Sequence, residues 1–127
     1  MSTPKQVVVV RRDLRLRRAE VAACVARASS TFLLNGCEDG PDLQVSFSQE
    51  EREWFYGGRK VIVLGVPTES ALRRVVDMAE IQGLTVSTLS KRDIDEKTGE
   101  EQSLVCAAIG PHDEESIDAV TGSLRLM

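Results

Sequence analysis

A three-layer α/β/α sandwich around a four-stranded mixed sheet is the fold class the sequence predicts, and three observations predict it. The runs Gln6–Val10 and Lys60–Val66 are continuously apolar and rich in valine, the pattern of strands covered by helices on both faces. Stretches with apolar residues at helical spacing alternate with such runs, in the order β-α-α-β-α-β-β-α. At 127 residues, 42% hydrophobic and 28% charged, the chain matches one globular domain spanning 1–127, with no repeat or low-complexity linker to divide it.

The elements follow in order. Gln6–Val10 is a β-branched strand. From Ala19 to Asn35, apolar Val21, Val25, Ala28 and Phe32 keep helical spacing, and Asn35-Gly36 supplies the stop. Cys37–Phe47, with Gly40-Pro41-Asp42 in its middle, reads as a loop. Ser48 and Glu51 form a capping box that opens a short helix through Trp54 and Phe55, ended by Gly57-Gly58. Lys60–Val66 is the second strand. Thr68 then caps a helix whose Leu72, Val75, Val76 and Ala79 form one stripe, closed at Gly83. Thr85–Leu89 and Leu104–Ile109 are the remaining strands. Eight of the thirteen residues between them, Ser90–Gln102, are charged, too polar and short for a helical crossover, so an antiparallel, hairpin-like connection is expected. Asp113, Glu114 and Glu115 suit the positive end of a last helix through Val120, ended by Gly122, with Ser123–Met127 as a tail.

The net charge of −4 hides an asymmetry. Residues 1–30 carry seven basic and two acidic side chains, whereas the other 97 carry nine and eighteen. Five arginines lie between Arg11 and Arg18, where the first strand hands over to the first helix. Whole-molecule attraction to nucleic acid is not expected from this balance, but one local cationic patch is compatible with it. Ligands of such sheets sit beyond the carboxyl ends of parallel strands, which is where this cluster falls. The competing expectation is a solvated turn paired with acids from elsewhere.

Other classes of chemistry find little support. Cys24, Cys37 and Cys106 stand at spacings no zinc motif uses, and Cys24 and Cys106 sit in apolar runs that suit reduced core thiols. The single histidine, His112, follows Gly110-Pro111 in an expected turn with no histidine or cysteine near it. Neither a metal nor a cofactor is expected. The longest apolar runs, such as Val61–Val66, are too short to span a bilayer, and the opening MSTPKQ has no apolar signal core, so a cytoplasmic location is expected. The Trp54-Phe55-Tyr56 triplet suits either base stacking or packing in a core or dimer face.

Specific segments add a resemblance. KQVVVVRRDL (Lys5–Leu14), Ala22-Ala23, KVIVLGV (Lys60–Val66), AAIGP (Ala107–Pro111) and IDAVTGSLRLM (Ile117–Met127) together resemble the type 2 peptidyl-tRNA hydrolases of archaea and eukaryotes, in the right order over nearly the whole chain. The resemblance implies the topology above, a homodimer, tRNA or peptidyl-tRNA as partner, and hydrolysis of the ester joining a stalled peptide to the 3′ end of tRNA. It also implies departures at the working positions. Asp13 and Leu14 match the family, but Arg15 stands at a usual lysine, Glu20 at a lysine thought to serve the reaction, Cys24 at a glutamine and Arg27 at a histidine. The family loop with a reactive aspartate and threonine corresponds to KRDIDEKTGEEQ, where Asp93 and Thr98 are the nearest candidates. Arg11, Arg12, Arg15, Arg17, Arg18 and Arg27 become candidates for RNA phosphate, and Glu20, Asp93 and Thr98 for the catalytic positions. An acid in a helix's first turn is favourable without any catalytic task, so Glu20 has a plain structural explanation too. The expectation is therefore a peptidyl-tRNA hydrolase-like protein with ester hydrolysis weakened or lost. The alternative is a non-catalytic dimeric interaction protein that keeps the fold.

Overall fold

The computed structural model describes residues 3–38, 40–91 and 103–127. The central strand β1, Pro4–Arg11, is buried along all eight residues. β1 pairs in parallel with β4 (Val61–Val66) and antiparallel with β6 (Leu104–Asp113), and β6 pairs antiparallel with β5 (Val86–Ser90). The antiparallel pairing of these two strands is therefore as expected, while the charged segment that joins them lies largely outside the described residues.

The sheet has five strands, not four: its order is β5-β6-β1-β4-β7, where β7 is Arg125–Leu126. Residues 123–127 are thus more than a tail. Leu126 pairs with Leu64 and Arg125 with Gly65, and the Met127 N–H donates to the Val63 carbonyl at 3.0 Å. Open N–H and C=O groups along β4 give this segment its reason to pair. A two-residue strand is too short to show any periodicity. For the same reason the expected loop 37–47 conceals β2 (Cys37–Glu38) and β3 (Gln44–Val45), which form a separate two-stranded ribbon.

Alternation along β1 distributes its side chains between two cores. Val7 and Val9 pack with Leu64, Leu72, Val76 and Ile117, beneath α3 (Glu69–Ile81) and α4 (Glu114–Thr121). Val8 and Val10 pack with Cys24, Ala28, Leu89 and Cys106, beneath α1 (Arg18–Ser30). Helices therefore cover both faces. The predicted stripe of α3 is the buried one: Leu72, Val75, Val76 and Ala79 all face the core.

Capping chemistry sets the helix starts. The Ser48 hydroxyl accepts from the Glu51 N–H at 3.2 Å while the Glu51 carboxylate accepts from the Ser48 N–H at 2.8 Å, opening α2 (Gln49–Tyr56). Thr68 accepts from the Ala71 N–H and Asp113 from the Ser116 N–H. The first helix is shorter than its pattern suggested. It ends at Ser30 and continues as a 3-10 turn over Thr31–Gly36, with Phe32 still buried. β6 runs past Ile109, so His112 lies in that strand opposite Lys5 rather than in a turn, its Nδ1 2.7 Å from Asp113 Oδ1.

Candidate functional site

The carboxyl end of β1 leads into a turn whose side chains have separate tasks. Arg11 is buried, 8% exposed, and all three nitrogens of its guanidinium donate hydrogen bonds. Nε and Nη2 donate to the two Asp13 carboxylate oxygens at 3.0 and 2.7 Å, while Nη1 donates to Ser103 Oγ and the Leu104 carbonyl, both at 2.9 Å. That fork holds the Asp13 carboxyl below its ordinary range, the Arg11 hydrogen bond being the main cause.

Arg12 turns the other way. Its N–H donates to the Val66 carbonyl at 2.8 Å, and its guanidinium lies over Gly65 and donates to the Leu126 carbonyl. A Cβ on residue 65 would stand 2.7 Å from Arg12 Cζ, so only glycine leaves room for this arrangement. Arg15 holds a left-handed backbone (φ 51), a conformation costly for a residue with a side chain, and its N–H donates to the Arg12 carbonyl at 3.1 Å. Arg17 is the N-cap of α1. Its side chain has no acceptor to offer, so the cap comes from Glu20, whose carboxylate accepts from the Arg17 N–H at 3.0 Å. The structural explanation of Glu20 is thereby realised, with its carboxylate exposed.

Arg12, Arg15, Arg17, Arg18 and Arg27 are all exposed. None of them forms an ion pair with a carboxylate among the described residues. Among the described residues, then, these five charges are not neutralised by carboxylates from elsewhere in the chain. Glu20 and Arg27 share one flank of α1 on either side of Cys24, whose thiol both reach electrostatically. Burial is the main reason that Cys24's pKa is raised, and the deeper Cys106 is pushed up to about 12 by the same cause. Both are thiols at neutral pH and unsuited to nucleophilic work. Among the described residues, no three His, Cys, Asp or Glu side chains come together in a way that could hold a metal ion.

The opposite flank of α1 is apolar. With β4 it encloses a groove of about 700 Å³ lined by Leu16, Val21, Val25, Val61 and Val63, with Arg18 also on its wall. Asp93 and Thr98 lie outside the described residues. The residues bounding their segment are tied together, the Lys91 N–H donating to the Ser103 carbonyl at 2.8 Å. Sequence reasoning passed over Glu69 here. Its carboxylate accepts from the Leu104 N–H at 2.7 Å, the main cause of its lowered pKa, and Arg73 lies 3.3 Å away. In the sequence Glu69 carries only the signature of an ordinary first-turn acid.

Comparison with known families decides the ancestry: the model for peptidyl-tRNA hydrolase PTH2 matches residues 4–127. The chain belongs to the PTH2 family. Among relatives named peptidyl-tRNA hydrolase, that of Haloquadratum walsbyi is 38% identical over 122 residues, covering 96% of this chain and 98% of its own. That of Methanopyrus kandleri is 37% identical over 123 residues, covering 97% of each chain. A solved structure of a protein of unknown function from Agrobacterium tumefaciens superposes with a TM-score of 0.58 at 16% identity, covering 100% of this chain and 99% of its own. At that identity the likeness concerns the fold alone. None of the described helices of this PTH2 chain is long and apolar enough to cross a membrane.

Proposed function

We propose that the protein engages the acceptor end of peptidyl-tRNA through the cationic turn and hydrolyses its ester slowly, in the cytoplasm where translation supplies that substrate. The observation that carries this reading is the set of five exposed arginines without carboxylate partners among the described residues, Arg12, Arg15, Arg17 and Arg18 at the carboxyl end of the central strand of a PTH2 fold and Arg27 in the last turn of α1. Phosphate contact explains why guanidinium groups gather there against the helix dipole at Arg18. Hydrolysis requires a placed water, a proton acceptor and stabilisation of a developing oxyanion. At position 20 the resemblance calls for a lysine, and a carboxylate stands there instead, so the charge that would steady an anion is reversed. Asp93 and Thr98 remain the residues assigned to proton handling, and Arg27 lies on the flank where it can partly offset Glu20.

The experiment is turnover of a peptidyl-tRNA by the wild type and by Glu20→Lys, with tRNA affinity measured across salt. Four or five phosphate contacts give a slope of log affinity against log salt of roughly −3 to −5. Faster turnover by the lysine variant supports a slowed site, whereas fast wild-type turnover refutes the slowing. Absence of tRNA affinity at low salt refutes the RNA reading. A homodimer is the second part of the proposal, favoured by the apolar groove between α1 and β4. Should tRNA binding fail while solution mass shows a dimer, the non-catalytic interaction protein is what remains.

A further inference from the structure

At the carboxyl end of β1 the ladder with β6 stops two residues short of Leu104, which the register would set opposite Arg12. The last paired residues are Val10 and Cys106, and the chain turns away at Arg12. Leu104 is thereby left without a β1 backbone partner. In a strand, the N–H and C=O of one residue point to the same edge, so both groups of Leu104 need partners there. Side chains supply them: Arg11 Nη1 donates to the Leu104 carbonyl at 2.9 Å, and the Glu69 carboxylate accepts from the Leu104 N–H at 2.7 Å. Ser103 sits between the two, its hydroxyl accepting from Arg11 and bonding Glu69 as well. The other side of the Arg11 fork grips Asp13, inside the cationic turn. A continuous line of bonds thus runs from α3 through Glu69, the start of β6 and Arg11 to the turn that carries Arg12, Arg15 and Arg17.

We propose that Arg11 and Glu69 are positioning residues: together they replace the missing rung at Leu104 and fix the cationic turn against β6 and α3, without themselves touching RNA. This rests on the tRNA-binding reading above. The two residues have opposite charges but the same task, which gives the test its sign.

If charge alone mattered, Glu69→Ala would tighten tRNA binding by removing an acid near the cationic turn. Positioning requires the reverse: Glu69→Ala weakens binding by about five- to tenfold, as befits loss of the bond to the Leu104 N–H, with the salt slope unchanged. Glu69→Gln, which keeps an acceptor oxygen for the Leu104 N–H, restores binding to within about twofold on the same reasoning. Arg11→Gln lowers affinity at constant slope, whereas Arg12→Gln reduces the slope by about 0.7–0.9, the contribution of one phosphate contact. Amide hydrogen exchange of the RNA-free protein gives an independent readout, with Glu69→Ala speeding exchange at Leu104 and at Arg15. Because Arg11→Gln disrupts four hydrogen bonds among the described residues and can unfold the chain, the Glu69 variants decide by themselves. Tighter or unchanged tRNA binding by Glu69→Ala, a lowered slope in Arg11→Gln, or unchanged exchange at Arg15 overturns the proposal while leaving the tRNA reading intact. Absence of tRNA affinity in the wild type overturns both.

Discussion

Replacing Gly65 by alanine isolates the contact that holds Arg12 in place. The backbone at Gly65 is not in the left-handed region, so alanine is conformationally acceptable there. A Cβ at that position would stand 2.7 Å from Cζ and 2.9 Å from Nη2 of Arg12. The guanidinium must swing away and loses its bond to the Leu126 carbonyl. For an exposed hydrogen bond that loss is about 1–1.5 kcal/mol. Against it, alanine in place of a strand glycine gains about 0.5–1 kcal/mol by restricting the unfolded chain. Gly65→Ala alone is therefore destabilising by roughly 0.5 kcal/mol, the difference of those two amounts. In an Arg12→Ala background the clash is absent and the same substitution stabilises by about 0.5–1 kcal/mol. The assay is urea unfolding of the four proteins of this double-mutant cycle. With a slope near 2 kcal/mol per molar urea, the coupling of about 1–1.5 kcal/mol appears as a midpoint difference of roughly 0.5–0.75 M. Equal effects of Gly65→Ala in both backgrounds would refute the placement of Arg12 over Gly65.

Three further outcomes follow from the geometry. With the Cys106 pKa near 12 and Cys24 also raised, a thiol reagent at pH 8 labels the half-buried Cys37 quickly and the other two only after denaturation; rapid labelling of all three in the native protein contradicts the packing. Asp13, Glu69 and Asp113 have folded pKa values below their unfolded ones, so their stabilisation is present above about pH 4 and is lost as pH falls through the folded values. The melting temperature should accordingly drop below about pH 4, and Asp113→Asn should flatten that decline. Asp118→Asn removes the negative charge 2.6 Å from the buried Lys5 ammonium, keeping an amide oxygen there and Glu114 at 3.7 Å, so a loss of about 1–2 kcal/mol is expected in chemical denaturation, and a gain would show the charge pair to be dispensable.

The legible parts of this fold are those in which local chemistry and global packing agree. The valine run of β1, the capping box at Ser48 and Glu51, and the α3 stripe of Leu72, Val75, Val76 and Ala79 each announce their structure in a few residues. β7 was illegible because its two residues, Arg125 and Leu126, become a strand only when the edge of β4 offers partners. Candidate site residues divide in the same way. The cluster Arg11–Arg18 was visible as composition, but the separate fate of Arg11 was not, since its acceptors at Ser103 and Leu104 lie more than ninety positions along the chain. Glu69 was hidden for the opposite reason: a helix-start acid has so common a purpose that a second one leaves no mark.

All five aromatic residues of the chain gather in one contiguous group, Phe32, Phe47, Trp54, Phe55 and Tyr56, linked by ring contacts with centroids 5.4–6.4 Å apart. Trp54 Nε1 donates to the carbonyl of Lys60, which also accepts from the Gln6 N–H near the beginning of β1. At about 3.3 Å per residue, the guanidinium-bearing turn is roughly 20 Å away along that strand. Intrinsic fluorescence and near-ultraviolet circular dichroism therefore illuminate one pole of the molecule and leave the other dark. An RNA docking event at Arg15 or Arg18 can run to completion with no change in tryptophan emission, and a silent titration would mean little until a dye or an engineered indole had been installed beside that turn.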